Sequence, residues 1–541
     1  MNAWFADALR RRVWLAGVCA ASLAMFLPGN AAADVVDLRQ EIAELNRMID
    51  NWQERHAEPR LRALLEEHPE EPALRWLDAK LLFHLHDYDA SAAAIERLVA
   101  EGPPLWLQRP LQDLEELVRN TIEATRDHEI HVTRNGLFEI SHDPRRDALL
   151  IPWAEETLEA AWYEIGYDLG HWPEPPIRVE FFSRASVLGR VSSLSEEAVR
   201  TTSTIALCKY NKLMMTSPRG TLRGYGWRTT LAHEYVHYVV GQLTADRVPV
   251  WLHEAIAKLL EERWTGERRF RLDPSQESLL ARRLEEGNLL TFDQMHPSMA
   301  YLPSQEDAAT GYAQVFTVAL FMMEREGPGV LRRLMRSINA HDDVRDAIAE
   351  VMGSPFDRFL DDWNEWLRDQ ELTRLPEDFL DEIELREGAS DDPGDEDRRF
   401  QGVEEPRARD HLRLGEMLRA RGMTEAARQS YERAESLLGR HHPELQNALA
   451  RTLLDLSEPE AALEALQEVA VWYPGFHRTH LHRGEALNRM GRFDEALVAL
   501  ERAAGINPFD PAVHRERGTA LDALGRDEEA SRAREIARQL R

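Results

Sequence analysis

Residues 231–237 read Leu231-Ala232-His233-Glu234-Tyr235-Val236-His237, and residues 249–261 read Pro249-Val250-Trp251-Leu252-His253-Glu254-Ala255-Ile256-Ala257-Lys258-Leu259-Leu260-Glu261. Two histidines four positions apart on a helix project from one face, one turn from each other. That spacing suits two imidazoles on a single zinc ion. Glu234 lies about 100° round the helix from His233, so it stands beside the metal and not on it. There a carboxylate can take a proton from water whose pKa zinc has lowered to about 7. Seventeen residues beyond His237 comes Glu254. Its segment reads as a second helix, begun by a turn at Pro249 and long enough to return antiparallel to the first. A carboxylate near the start of that helix completes a His₂Glu set and leaves the fourth position open.

Here the sequence resembles the gluzincin metallopeptidases, particularly the bacterial peptidase MA-like domains. Their pattern is an apolar-flanked HExxH, a short gap, then Pro-x-Trp-Leu-x-Glu-Gly-x-Ala. Pro249, Trp251, Leu252, Glu254 and Ala257 match, while Ala255 replaces the usual glycine and adds one methyl group beside the expected ligand. The resemblance extends over roughly residues 128–372, including Gly311-Tyr312-Ala313-Gln314, which reads as a helix start. It implies a zincin-like α+β fold, one Zn²⁺ held by His233, His237 and Glu254, and Glu234 as general base for peptide-bond hydrolysis. It also implies that the strand before the metal helix, read at Ser203–Cys208, pairs with an extended substrate backbone. Tyr312 is a further catalytic candidate, as a donor to the tetrahedral oxyanion; a packed aromatic fits it equally. His253 reads as a residue behind the ligands or on the surface. His296 has no spacing argument. Tyr235 and Trp251 read as core, and Cys208 as a small buried hydrophobe.

The same segment is preceded by a small sheet. Ile130–Thr133 and Leu137–Ile140 are β-rich runs separated by Asn135-Gly136, a strong hairpin signal. Ile177–Phe182 and Lys212–Thr216 are further strands, and Ala154–Leu169 is an amphipathic helix between them. Helix resumes from Tyr225 to about Leu372. Upstream, residues 34–127 are helical: Leu38, Ile42, Leu45, Ile49 and Trp52 form one apolar stripe at three- and four-residue steps. Pro72–Val99 reads as a helical hairpin with Ala79 and Ser91 at the close crossing, a degenerate candidate for the repeat unit described next.

From Ala408 the chain repeats itself. Gly415, Ala450, Gly484 and Gly518 recur at 35, 34 and 34 residues, and each is followed twelve positions later by alanine: Ala427, Ala462, Ala496 and Ala530. Small residues at a 34-residue period, where two helices cross, are the tetratricopeptide signature. About four copies over 408–541 form an all-α solenoid whose expected partner is a protein or the substrate itself. Between the two regions, residues 373–407 read as a solvated linker; Pro376–Glu405 alone holds 13 acidic residues against three arginines.

Residues 1–33 have the form of a signal peptide: Arg10-Arg11-Arg12, an apolar run from Val13 to Phe26, then Ala31-Ala32-Ala33 before Asp34. A periplasmic or secreted protein follows, or one anchored by an uncleaved segment. The formal charge of −29 argues against nucleic-acid binding, and the mean hydropathy of −0.48 against a polytopic membrane protein. The composite expectation is an exported zinc metallopeptidase with interaction repeats. The rival is an inactive envelope scaffold on the same fold, of which Ala255 would be a symptom.

Overall fold

The computed structural model describes residues 29–192, 194–195, 199, 204–268, 270–296, 298–375, 403 and 405–540. Most of the expected leader and of the acidic stretch 373–407 therefore lies outside the described residues. Contacts divide the chain into two compact units, one ending at Glu116 and the other beginning at Leu117.

The first unit is built from α1 (Gly29–Asp50), α2 (Glu54–Glu67), α3 (Pro72–His84), α4 (Tyr88–Glu101) and the start of α5 (Leu105–Thr125). Leu45 and Ile49 are wholly buried against Leu61, Leu74 and Leu77, and Leu38 and Ile42 pack at the margin. Trp52, expected to continue that stripe, falls beyond the helix end, where φ of +64° turns the chain instead. Ser91 Oγ donates to the Ala79 carbonyl at 2.7 Å, so the α3–α4 hairpin closes at the two small residues.

In the second unit, Leu117–Arg541, the described strands form one mixed sheet: β1 (Glu129–Val132), β2 (Phe138–His142), β3 (Ile177–Phe182), β4 (Ala206–Lys209) and β5 (Lys212–Thr216). Their order is β1-β2-β3-β5-β4, with β2, β3 and β5 parallel and both edge strands antiparallel. Asn135-Gly136 makes the first hairpin turn, with Gly136 at φ +71°. The second turns at Tyr210 and Asn211, both at positive φ (+55° and +57°), the geometry that matches strand twist in a two-residue loop. That turn pairs Lys209 with Lys212 and Ala206 with Met215. Strand β4 runs over Ala206–Lys209; Ser203, where the sequence reading starts it, lies outside the described residues. Helices α6 (Ile151–Leu169) and α7 (Ala185–Arg190) complete the connections between strands.

The helices that follow are α8 (Trp227–Thr244), α9 (Val250–Leu260), α10 (Pro274–Glu285), α11 (Gln305–Glu326), α12 (Val330–Ala340), α13 (Val344–Met352) and α14 (Phe356–Arg368). Helix α8 is buried along most of its length and packs against α6, α9 and the β4–β5 hairpin. Gly311-Tyr312 lies two turns inside α11; the helix starts earlier because Ser304 caps it, accepting from the Asp307 amide.

The C-terminal array comprises α15 (Pro406–Ala420), α16 (Thr424–Leu438), α17 (Pro443–Asp455), α18 (Pro459–Ala465), α19 (Gln467–Trp472), α20 (His477–Arg489), α21 (Phe493–Ile506), α22 (Pro511–Ala523) and α23 (Asp527–Gln539). The glycine period has a direct physical cause. A Cβ at Gly415 would meet the Tyr431 ring at 2.4 Å, at Gly484 the Leu500 side chain at 2.4 Å, and at Gly518 Arg534 Cγ at 3.0 Å. The obstructing residue is the same distance along the sequence in each repeat.

Inside the sheet, Lys212 Nζ donates to Glu180 Oε2 at 2.8 Å, and both side chains are fully buried. Burial lowers the Lys212 pKa, and the Glu180 carboxylate opposes that shift. A buried pair of this kind is costly to break because one charge is left uncompensated. Lys212→Met is expected to lower stability by about 3–5 kcal/mol in denaturant titration, whereas Lys212→Met with Glu180→Leu restores most of the loss.

Candidate metal centre

The site is made where α8 and α9 face each other. Helix α8 ends at Ala245 and Asp246, both in the left-handed region (φ +49° and +54°), with their amides donating to the Gly241 carbonyl. Pro249 then starts α9, and the reversal brings its first turn back over the last turns of α8. His233, His237 and Glu254 each offer one ligand atom within a single cluster. His233 Nε2 and His237 Nε2 are 3.1 Å apart, and Glu254 Oε2 lies 3.1 Å from the first and 3.3 Å from the second. Ligands 2.0–2.1 Å from a tetrahedral zinc stand about 3.3–3.4 Å from one another. The three atoms thus have the spacing of three corners of one coordination tetrahedron. Ala255 is fully buried in α9, and the convergence holds with its methyl group present.

What lies behind each ligand fixes its orientation. His233 Nδ1 donates to Glu261 Oε2 at 2.9 Å, and Lys258 Nζ in turn donates to Glu261 Oε1. His237 Nδ1 meets His253 Nδ1 at 2.7 Å. For His237 to present a lone pair at Nε2, its Nδ1 must carry the hydrogen and donate to His253. Burial, then the neighbouring His237, lower the His253 pKa to about 3, so His253 is neutral and able to accept. Its Nε2 then faces Asp246 Oδ1 at 3.8 Å. His253 takes the first of the two places the sequence allows it, behind the ligands, while Glu261 was not read from the sequence. The signal for Glu261 was present: seven residues beyond Glu254 is two turns, or about 20° short of the same face.

The charges are strongly coupled. Burial would lower the His233 pKa, but hydrogen bonds to Glu254 and Glu261 outweigh it and hold it at about 10. Burial would raise Glu254, yet His237 and His233 together leave it below the usual carboxylate range. Glu234 is raised by burial, with the two histidines opposing. Among the described residues it makes no side-chain hydrogen bond, so its carboxylate faces the cavity without a fixed partner. That cavity, about 320 Å³, is lined by His233, Glu234 and Glu261 on one side and by Ala206 and Tyr312 on others. The Tyr312 and His233 rings meet edge to face at 6.3 Å. Burial, then Glu254 and Glu234, keep the Tyr312 hydroxyl protonated far above the usual range.

The remaining candidates lie elsewhere. Tyr235 is fully buried against Phe138, and Trp251 stacks on Phe292 at 4.4 Å. His296 is exposed, lines a separate depression beside Trp251, and is outside the ligand cluster.

Residues 168–369 match the profile of the Peptidase MA superfamily, and residues 55–105, 447–511 and 481–533 that of the tetratricopeptide repeat. The chain carries a Peptidase MA superfamily domain and tetratricopeptide repeats. The superfamily match contains His233, His237 and Glu254, and one repeat match covers the N-terminal α3–α4 hairpin. No curated protein matches the chain. Among solved structures, MamA of MSR-1 is 26% identical over 25% of this chain and 76% of its own, with a TM-score of 0.22. A thermophilic tetratricopeptide protein of Thermus thermophilus is 28% identical over 24% and 72%, with a TM-score of 0.23. No helix among the described residues is long and apolar enough to cross a membrane.

Because His233 holds a proton to about pH 10 without metal, zinc must displace it. Zinc affinity of the peptidase MA domain is expected to rise with pH between about 6 and 9, with about one proton released per ion at neutral pH. Titration calorimetry in buffers of different ionisation enthalpy reads both. Glu261→Gln is expected to weaken zinc by about 10–100-fold, since the histidine loses its orienting carboxylate. A pH-independent affinity would sink this assignment.

Proposed function

We propose that the chain is an exported zinc metallopeptidase with a zincin-like catalytic fold. The reading rests above all on one observation: three candidate ligand atoms stand 3.1–3.3 Å apart, and His233 shares a cavity with the carboxylate of Glu234, which has no hydrogen-bond partner among the described residues. Zinc on His233, His237 and Glu254 would supply Lewis acidity and make water a usable nucleophile near neutral pH. Glu234 takes the proton from the attacking water. As oxygen adds to the scissile carbonyl carbon and the C–N bond breaks, Glu234 passes that proton to the leaving nitrogen. The Tyr312 hydroxyl, held protonated, is positioned to donate to the developing oxyanion. Strand β4 is the edge of the sheet and contributes Ala206 to the cavity, so an extended substrate backbone can add to its free side. The repeats take a protein partner or the substrate.

Glu234→Gln is expected to keep about one zinc per chain while losing at least about 100-fold in turnover of an unfolded protein substrate. Wild-type turnover in that variant would remove Glu234 from the mechanism. Export predicts that the protein recovered from the periplasm or medium begins at Asp34; N-terminal sequencing of that fraction reads it directly, and a chain retained in the cytoplasm with Met1 intact would oppose it.

A further inference from the structure

The repeats do not hang free of the peptidase domain. The Tyr225 amide donates to the Ile506 carbonyl at 3.1 Å, and a Cβ on Gly224 (φ +77°) would lie 2.5 Å from that same oxygen. Arg223 pairs with the buried Glu444 at 3.0 Å, and the Arg219 guanidinium lies 4.2 Å from the centre of the Phe509 ring. The stretch 219–225 leads directly into α8, so the array is fastened to the segment that enters the metal helix. Leu375 is buried with Val469, Tyr473 and Phe476, which adds a second point of attachment.

Between these attachments lies a cavity of about 570 Å³, larger than the one at the metal centre. Ile205, Thr229, Thr230, Lys258, Glu261 and Gln276 line both. The far side of the larger cavity is made by inter-helix turns of the repeats, with Gly475, Phe476, Arg478 and Asn507 facing in. We infer that these turns are one wall of the substrate groove: a polypeptide held at the metal centre continues across this cavity and is read by the repeats next to the cleaved bond. The inference rests on the peptidase reading of the metal centre. It differs from recruitment at a distance, because repeat and catalytic residues would touch one bound segment.

The chemistry of the wall indicates what it accepts. Arg263 is committed to Asp168 and Glu164, Lys258 to Glu261, and Arg223 to Glu444. Basic and acidic side chains line the cavity in equal number, and Tyr225, Phe270, Phe316 and Phe476 add apolar surface between them. The occupant is therefore an extended, unfolded stretch of polypeptide without strong net charge.

Gly475 provides a clean test. Its backbone is outside the left-handed region and a Cβ there meets nothing within 4 Å, so a side chain introduced by Gly475→Trp starts from open space at the cavity wall. The probe is fluorescein-labelled, reduced and carboxymethylated α-lactalbumin, titrated by anisotropy against the full zinc-loaded chain carrying Glu234→Gln. Adding Gly475→Trp is expected to raise Kd by about ten-fold or more, with Gly475→Ala within about two-fold and zinc content unchanged. Val498→Trp, at an exposed position lining a separate cleft of the repeats, is the control and should leave Kd unchanged. An unchanged Kd in Gly475→Trp, weakening confined to Val498→Trp, or no binding by the Glu234→Gln chain each overturns the inference. Cleavage of the same probe by the wild type is scored separately. Binding sensitive to Gly475→Trp without cleavage would end the peptidase reading and leave the groove standing. Equal cleavage by wild type and Gly475→Trp would do the reverse.

Discussion

A carboxylate and two imidazoles must meet within about one ligand radius of a common point, and everything around them is arranged to make that possible. Two histidines on one helix bring themselves together; the glutamate has to be carried back from another. The reversal uses two consecutive non-glycine residues in the left-handed region, Ala245 and Asp246. Such a conformation costs an L-residue of the order of 1–2 kcal/mol. It persists because both amides are satisfied by the Gly241 carbonyl and because Arg247 holds Asn339 at 2.8 Å across to α12. Once α9 is laid against α8, Glu261 and His253 fall behind His233 and His237 without further bending of the chain.

The sheet supplies the rigid back of this arrangement. Its central strands are buried on both faces; Lys212 pairs with Glu180 inside it, and beside it Asp147 accepts from the Ser183 and Ser217 hydroxyls at 2.8 and 2.7 Å. Asp147 ties the start of α6 to the ends of β3 and β5. The edge strand β4 is thereby held at a fixed height over α8, which matters for any backbone that pairs with it.

Much of this was legible in the sequence wherever the cause is local. Asn135-Gly136 specifies its hairpin through backbone conformation alone, and Gly415, Gly484 and Gly518 announce the helix crossings that only a hydrogen side chain permits. That His233 and His237 point to one place was legible because helical spacing converts directly into a shared face. Element boundaries were less so: α11 begins before Gly311 because Ser304 caps it. Trp52 matched the apolar period but lies past the helix end. The docking of the repeats on residues 219–225 left no periodic trace, since it joins turns far apart along the chain.

Cys208, on β4, is the one free cysteine among the described residues. Burial, then the Glu234 and Asp246 carboxylates, push its thiol well above the ordinary range. A thiolate is the donor that most strongly captures soft metals, and it is also the species that oxidises. Buried and held protonated, the Cys208 sulfur is a weak donor to such metals. The same protonation slows thiol–disulfide exchange at this sulfur.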